Sequence, residues 1–193
     1  MTNTDYVQYS GSHATTRSKS ILIEKNGFEK STGHRGSGVY FWESNAYARG
    51  LAIAWYVTSM RRGSYSKDKD KTCVVIWADL TASIDEIVDY TSPEWRKYFL
   101  ELSKNLEFAD DKEEAFKIYD YVVERIEELL GNTIKLTIAM VNPPNKPRYY
   151  PTQIYGMACC YIVRDVKCID IKEREIIENF NILKDEECLN VLK

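Results

Sequence analysis

Three short stretches of this chain carry side chains suited to more than packing. The first is His13-Ala14-Thr15, followed by Ile21-Leu22 and Gly27-Phe28. The second is Gly36-Ser37-Gly38-Val39-Tyr40-Phe41, and the third is Cys160-Tyr161-Ile162-Val163-Arg164-Asp165. Imidazole, phenol and guanidinium beside glycines are residue types that recognise polar ligands, because glycine lets a backbone approach closely. Each also has a plain reading. A lone histidine near a turn is usually a surface or capping residue, and a tyrosine in a short aromatic strand is usually core. Arg17 and Arg35 read equally as solvated charges, Tyr47 as helix-face packing, and His34 has no clear role. Two further segments, Arg61 to Lys67 and Lys146 to Tyr150, interleave cations with aromatics. Such a mixture can hold nucleic acid by charge and stacking, and serves equally as solvated loop. The five cysteines (Cys73, Cys159, Cys160, Cys168, Cys188) contain no CxxC pair, so neither a zinc site nor a disulfide framework is expected.

Positioning these stretches requires a set of elements that the local pattern predicts. A short strand at Tyr6 to Tyr9 turns through Ser10-Gly11-Ser12, which puts His13 at a strand-to-helix junction. A helix over Thr16 to Asn26 is capped by Thr15 or Thr16 and stopped by Gly27. A polar, glycine-rich loop, Glu29 to Gly38, feeds a strand at Val39 to Trp42. Ser44 or Asn45 then caps a helix running to Met60, with Tyr47, Leu51, Ala54, Trp55 and Thr58 on one face. Arg61 to Lys71 reads as a charged, flexible loop, and Thr72 to Leu80 as a buried strand. Ser92-Pro93-Glu94 opens a helix with proline where its missing N–H costs nothing. Asp111 and Glu114 form a capping box for a longer helix that ends at Gly131. Strands follow at Cys159 to Val163 and Lys167 to Ile171, and Glu173 to Lys193 has helical spacing.

That order predicts an α+β fold, one domain over residues 1–193 with a helical insertion at about 83–140. At 193 residues, with 44 % hydrophobic and 28 % charged residues, the chain has ordinary globular composition. A net charge of −3 advertises no global attraction to nucleic acid, although it leaves room for a positive cleft. There is no long apolar run, and Met1 to Tyr9 lacks the apolar core of a signal peptide, so a cytoplasmic protein without membrane contact is expected.

Taken in order, the three stretches resemble the ADP-ribosyltransferase superfamily, in its diphtheria-toxin and poly(ADP-ribose)-polymerase branch. That family shows His-Gly-Thr or His-Gly-Ser, a helix ending in Gly-Phe or Gly-Leu, then Gly-x-Tyr-Phe, then a strand bearing Glu or Gln. The resemblance covers residues 9–56 and, more weakly, 153–171. It implies a split antiparallel β-sheet core with flanking helices, and NAD as the substrate. His13 would hydrogen-bond the ribose hydroxyl, and Ala14, Thr15 and their backbone would meet the nicotinamide amide. Tyr40 would stack on the nicotinamide ring, Gly38 would let the backbone approach, and Tyr47 would close the stack, with Trp55 and Tyr56 behind it. Arg17 or Arg35 would meet the pyrophosphate.

The implied activity is mono-ADP-ribosyl transfer from NAD to a protein or nucleic-acid acceptor. The resemblance extends to bacterial or phage effectors and toxins, which can meet a cognate inhibitor. One departure stands out. The family places its Glu or Gln five positions before an Asp or Asn like Asp165, and here that position is Cys160. The candidates for the third catalytic residue are therefore Gln153, Cys160 and another acid such as Glu43. Two alternatives remain open: a catalytically dead NAD-binding or partner-binding module of the same fold, and an RNA 2′-phosphotransferase using His13, Arg17, His34, Arg35 and Arg148.

Overall fold

A computed structural model describes residues 5–104, 115–144 and 156–178 of the chain. The order of elements is β1 (Tyr6–Thr16), α1 (Arg17–Asn26), β2 (Ser31–Gly33), β3 (Gly36–Glu43), α2 (Ala48–Arg61), β4 (Cys73–Ser83), β5 (Ile87–Asp89), α3 (Pro93–Ser103), α4 (Ala115–Leu130), β6 (Leu136–Val141), β7 (Ala158–Val163) and β8 (Ile169–Ile177). The strands form one mostly antiparallel, open sheet in the order β5-β6-β7-β3-β1-β4-β8, with β2 paired to β3. Only β5 and β6 run parallel. The fold is α+β, as the element order predicts.

Several elements follow from nearest-neighbour chemistry. Thr16 caps α1, its hydroxyl accepting from the Lys19 N–H at 3.2 Å. Gly27 stops the helix at φ 80°, a left-handed conformation that costs glycine no Cβ clash. Ser92 caps α3 in front of Pro93. Other expectations are corrected. Ser10-Gly11-Ser12 is no turn: β1 runs through it for eleven residues, so His13 lies inside a strand. The start of α2 is also later than expected, because Asn45 uses its side chain to accept from the Tyr47 N–H at 2.8 Å instead of capping a helix. The helices α3 and α4 fill only part of the 83–140 region, and strands β5 and β6 lie at its two ends. The capping box at Asp111 and Glu114 lies outside the described residues, as does most of the C-terminal tail. The part of that tail that is described continues β8 to Ile177.

The sheet carries apolar side chains on both faces. On one face Ala14, Trp42, Val75 and Cys160 pack with Leu51, Ile53, Tyr56 and Val57 of α2. On the other, Phe28, Val39, Phe41, Ile76, Leu80, Leu136, Tyr161 and Val163 form a second cluster. A third lies beneath α3 and α4, around Val88, Val122, Val123, Ile126 and Ile134. No described helix is long and apolar enough to cross a membrane.

The join between the two halves of the sheet is narrow. β1 pairs with β4 along its full length, from Tyr6–Ser83 to Thr16–Cys73. It pairs with β3 only at Gly11–Glu43 and Ser12–Trp42. Gly11 makes that join possible. A Cβ there would sit 2.8 Å from the Phe41 Cβ and 3.0 Å from the Trp42 carbonyl oxygen. Beyond Ser12 the ladder between β1 and β3 stops, and His13 is the next residue.

Candidate functional site

At His13 a side chain takes over where the backbone ladder ends. The imidazole Nδ1 lies 2.9 Å from the Tyr40 carbonyl oxygen. A carbonyl can only accept, so Nδ1 carries the proton and donates, which leaves Nε2 as the acceptor of a neutral ring. Burial pushes the His13 pKa below its ordinary value, and the nearby Lys19 charge adds to this, against the raising effect of the Tyr40 hydrogen bond. The ring packs edge-on to Phe28 at 5.4 Å and tilted against Phe41 at 5.6 Å.

The phenol of Tyr40 points the other way. Successive residues of a strand face opposite sides. Val39 and Phe41 belong to the cluster that meets His13, whereas Tyr40 packs, with Trp42, against the α2-side cluster. The expectation that both rings face one pocket is therefore corrected: they border the end of the β1–β3 ladder from opposite faces. Tyr40 is also tied down. Its hydroxyl donates to the Gly36 carbonyl at 2.6 Å and accepts from the Arg35 N–H at 3.1 Å. Its ring lies so close to Gly33 that a Cβ there would be 2.5 Å from the ring. Burial pushes its pKa far above the ordinary phenol value.

Tyr47 packs against the same α2-side cluster as Tyr40. Ala14 is buried in that cluster too. Thr15 is 3 % exposed, and its side chain hydrogen-bonds the Tyr65 phenol. Gly38 is close-packed for a structural reason: a Cβ would meet Ile162 at 2.6 Å and the Val163 carbonyl oxygen at 2.8 Å, both on β7. Arg17 turns to Asp70 in an exposed pair at 3.8 Å. Arg35 lies over the Tyr119 ring at 5.1 Å, and its Nε donates to the Met140 carbonyl at 3.3 Å. The structure thus sends the two candidate arginines in different directions. Trp55 is exposed at the outer face of α2, and Tyr56 is core, stacked on Tyr65.

Cys160 is buried on the α2 side. Burial pushes its thiol well above the ordinary value, helped by the neighbouring Cys159. Cys159 is itself pushed up to about 12, again mainly by burial. Burial thus favours the neutral thiol at both positions. Glu43, the acid at the end of β3, receives long hydrogen bonds from the Tyr161 hydroxyl at 3.5 Å and the Asn45 amide at 3.4 Å. Gln153 and Arg148 lie outside the described residues, as does the whole segment Lys146 to Tyr150. The Arg61–Lys67 loop loses its expected nucleic-acid character in one respect: Tyr65 is only 7 % exposed and stacks on Tyr56, so it presents no free ring face.

No protein-family model matches this chain, and no curated protein matches it.

One cluster escaped the sequence reading. Asp120 of α4 meets Ser37 and Arg164 at the start of β3: the Ser37 N–H donates at 2.9 Å, the Ser37 hydroxyl at 2.6 Å and Arg164 Nη1 at 2.6 Å. Burial raises the Asp120 pKa, but the Ser37 and Arg164 hydrogen bonds outweigh it and hold the carboxyl below the ordinary range. The partners are 83 and 44 positions away in sequence, so no local pattern could signal them.

Proposed function

We propose that this chain is an ADP-ribosyltransferase-type domain that binds NAD and transfers ADP-ribose to a macromolecular acceptor. The reading rests on the resemblance of the three motifs, and one observation carries it further. The β1–β3 ladder ends at Ser12, and the motif residues His13 and Tyr40 border that break. In this reading the dinucleotide lies across the break. Tyr40 and Tyr47, which pack against the same α2-side cluster, take the nicotinamide ring. His13, on the opposite face, positions the Tyr40 strand through the carbonyl it holds.

The chemistry is substitution at the ribose carbon. The bond to nicotinamide breaks, its electron pair leaves with the ring, and the acceptor nucleophile bonds to that carbon and loses its proton. The transition state is oxocarbenium-like, so a nearby carboxylate or amide helps. Cys160 does not fill that role, which leaves Glu43 and Gln153.

A second reading is favoured by the neutral, buried Cys160: a module of the same type that binds NAD without turning it over. Nicotinamide release from NAD, measured beside NAD binding by calorimetry, separates the two. Release and binding that both vanish in Tyr40→Ala support the transferase. Binding without release supports the module. A folded chain that does neither sinks both readings.

A further inference from the structure

The Asp120 carboxylate sits in surroundings built for an anion. One backbone N–H, one hydroxyl and one guanidinium converge on its two oxygens. Arg164 also donates to the Ser37 carbonyl at 3.3 Å, which fixes its guanidinium against the strand. Space for the carboxylate comes from Gly36. A Cβ there would stand 2.9 Å from Asp120 Oδ1, and the residue holds φ 96°, which side-chain-bearing residues rarely adopt. Donors of this kind, with two short contacts to two oxygens, fit a phosphate group as well as a carboxylate. The cradle adjoins Tyr40, whose hydroxyl donates to the Gly36 carbonyl. Arg35 lies over the ring of Tyr119, the residue before Asp120, with its Nε donating to the Met140 carbonyl.

The helix that supplies Asp120 is held chiefly further along its length. Val122, Val123 and Ile126 are its fully packed residues, in the cluster with Val88 and Ile134. The turn carrying Tyr119 and Asp120 meets the β2–β3 hairpin through polar contacts and the Arg35 guanidinium over the Tyr119 ring, and that ring also packs on Phe99 and Tyr90.

We propose that Ser37, Arg164 and the space at Gly36 form a cradle for a phosphate group, and that Asp120 occupies it in the unliganded protein as an internal competitor. That the phosphate belongs to a dinucleotide rests on the NAD reading; the cradle itself does not. A ligand entering must displace the carboxylate, so its apparent affinity is lowered by the fraction of molecules in which Asp120 is seated.

The test uses the full chain, with inorganic pyrophosphate and ADP-ribose as separate probes in calorimetry. Asp120→Ala should bind pyrophosphate about tenfold or more tighter than the wild type. Adding Arg164→Gln should abolish that gain. Glu124→Ala, which removes an equal charge from the exposed side of the same helix, should leave affinity unchanged. If Asp120→Ala does not fold, Asp120→Asn decides by the same criterion, since it removes the charge and one acceptor oxygen while keeping the side chain's size. A gain for pyrophosphate without one for ADP-ribose keeps the cradle and removes the dinucleotide. A folded Asp120 variant with no gain for pyrophosphate, or an equal gain in Glu124→Ala, overturns the proposal.

Discussion

His13 and Tyr40 meet through a ring nitrogen and a backbone carbonyl, 2.9 Å apart, and not through their two rings. The imidazole stands in for a rung of the ladder at the point where β1 and β3 stop pairing. Removing it leaves the Tyr40 carbonyl without that donor and opens space between Phe28 and Phe41. His13→Ala should therefore destabilise the protein by about 2–4 kcal/mol, combining an unsatisfied acceptor with a cavity. A urea midpoint equal to that of the wild type would show that the imidazole bears no structural weight. On this reading any loss of NAD binding in His13→Ala must be measured at temperatures where the variant is folded.

The same histidine sets a pH dependence. Its folded pKa lies below the unfolded value near 6.5, so the unfolded state takes up the proton first as pH falls. The contribution is whole above about pH 6.5 and drains away as pH drops from there towards the folded pKa. Melting temperatures at about pH 7.5 and about pH 5.5 should differ more in the wild type than in His13→Gln. Equal shifts in the two proteins would assign the effect to other groups.

Gly11 governs how closely the two halves of the sheet approach. A methyl group there would stand 2.8 Å from the Phe41 Cβ and 3.0 Å from the Trp42 carbonyl oxygen, neither of which is a flexible tip. Gly11→Ala should cost about 1–3 kcal/mol of stability by overpacking the join. It should also speed hydrogen exchange at the Ser12 and Trp42 amides. Unaltered exchange there, with unaltered stability, would mean that the strands separate at no cost.

Tyr40 separates a structural hydroxyl from a stacking ring. Tyr40→Phe loses the bonds to the Gly36 carbonyl and the Arg35 N–H, and should lower stability by about 1–2 kcal/mol. Nicotinamide binding should survive that change and disappear in Tyr40→Ala, because the ring face is kept in the first and lost in the second. Strong loss of binding in Tyr40→Phe would move the ligand contact from the ring to the hydroxyl.

The sequence by itself determined what rests on contacts a few residues apart. The Thr16 cap, the Gly27 stop and the Ser92-Pro93 start are properties of one helical turn, and all three are where the pattern puts them. The α+β class followed from the succession of periods along the chain. A mostly apolar run such as Leu136 to Val141 was less legible, since a strand buried on both faces shows no alternation. Tertiary structure alone decided the rest. Gly11 has the local signature of a turn, yet pairing of β1 with β4 along eleven residues draws it out into a strand. Because side chains alternate with period two, that register sends the His13 ring to one face, while β3 sends Tyr40 to the other. The cradle of Ser37, Asp120 and Arg164 likewise exists only because α4 packs over the β2–β3 hairpin, joining groups that the chain keeps dozens of residues apart.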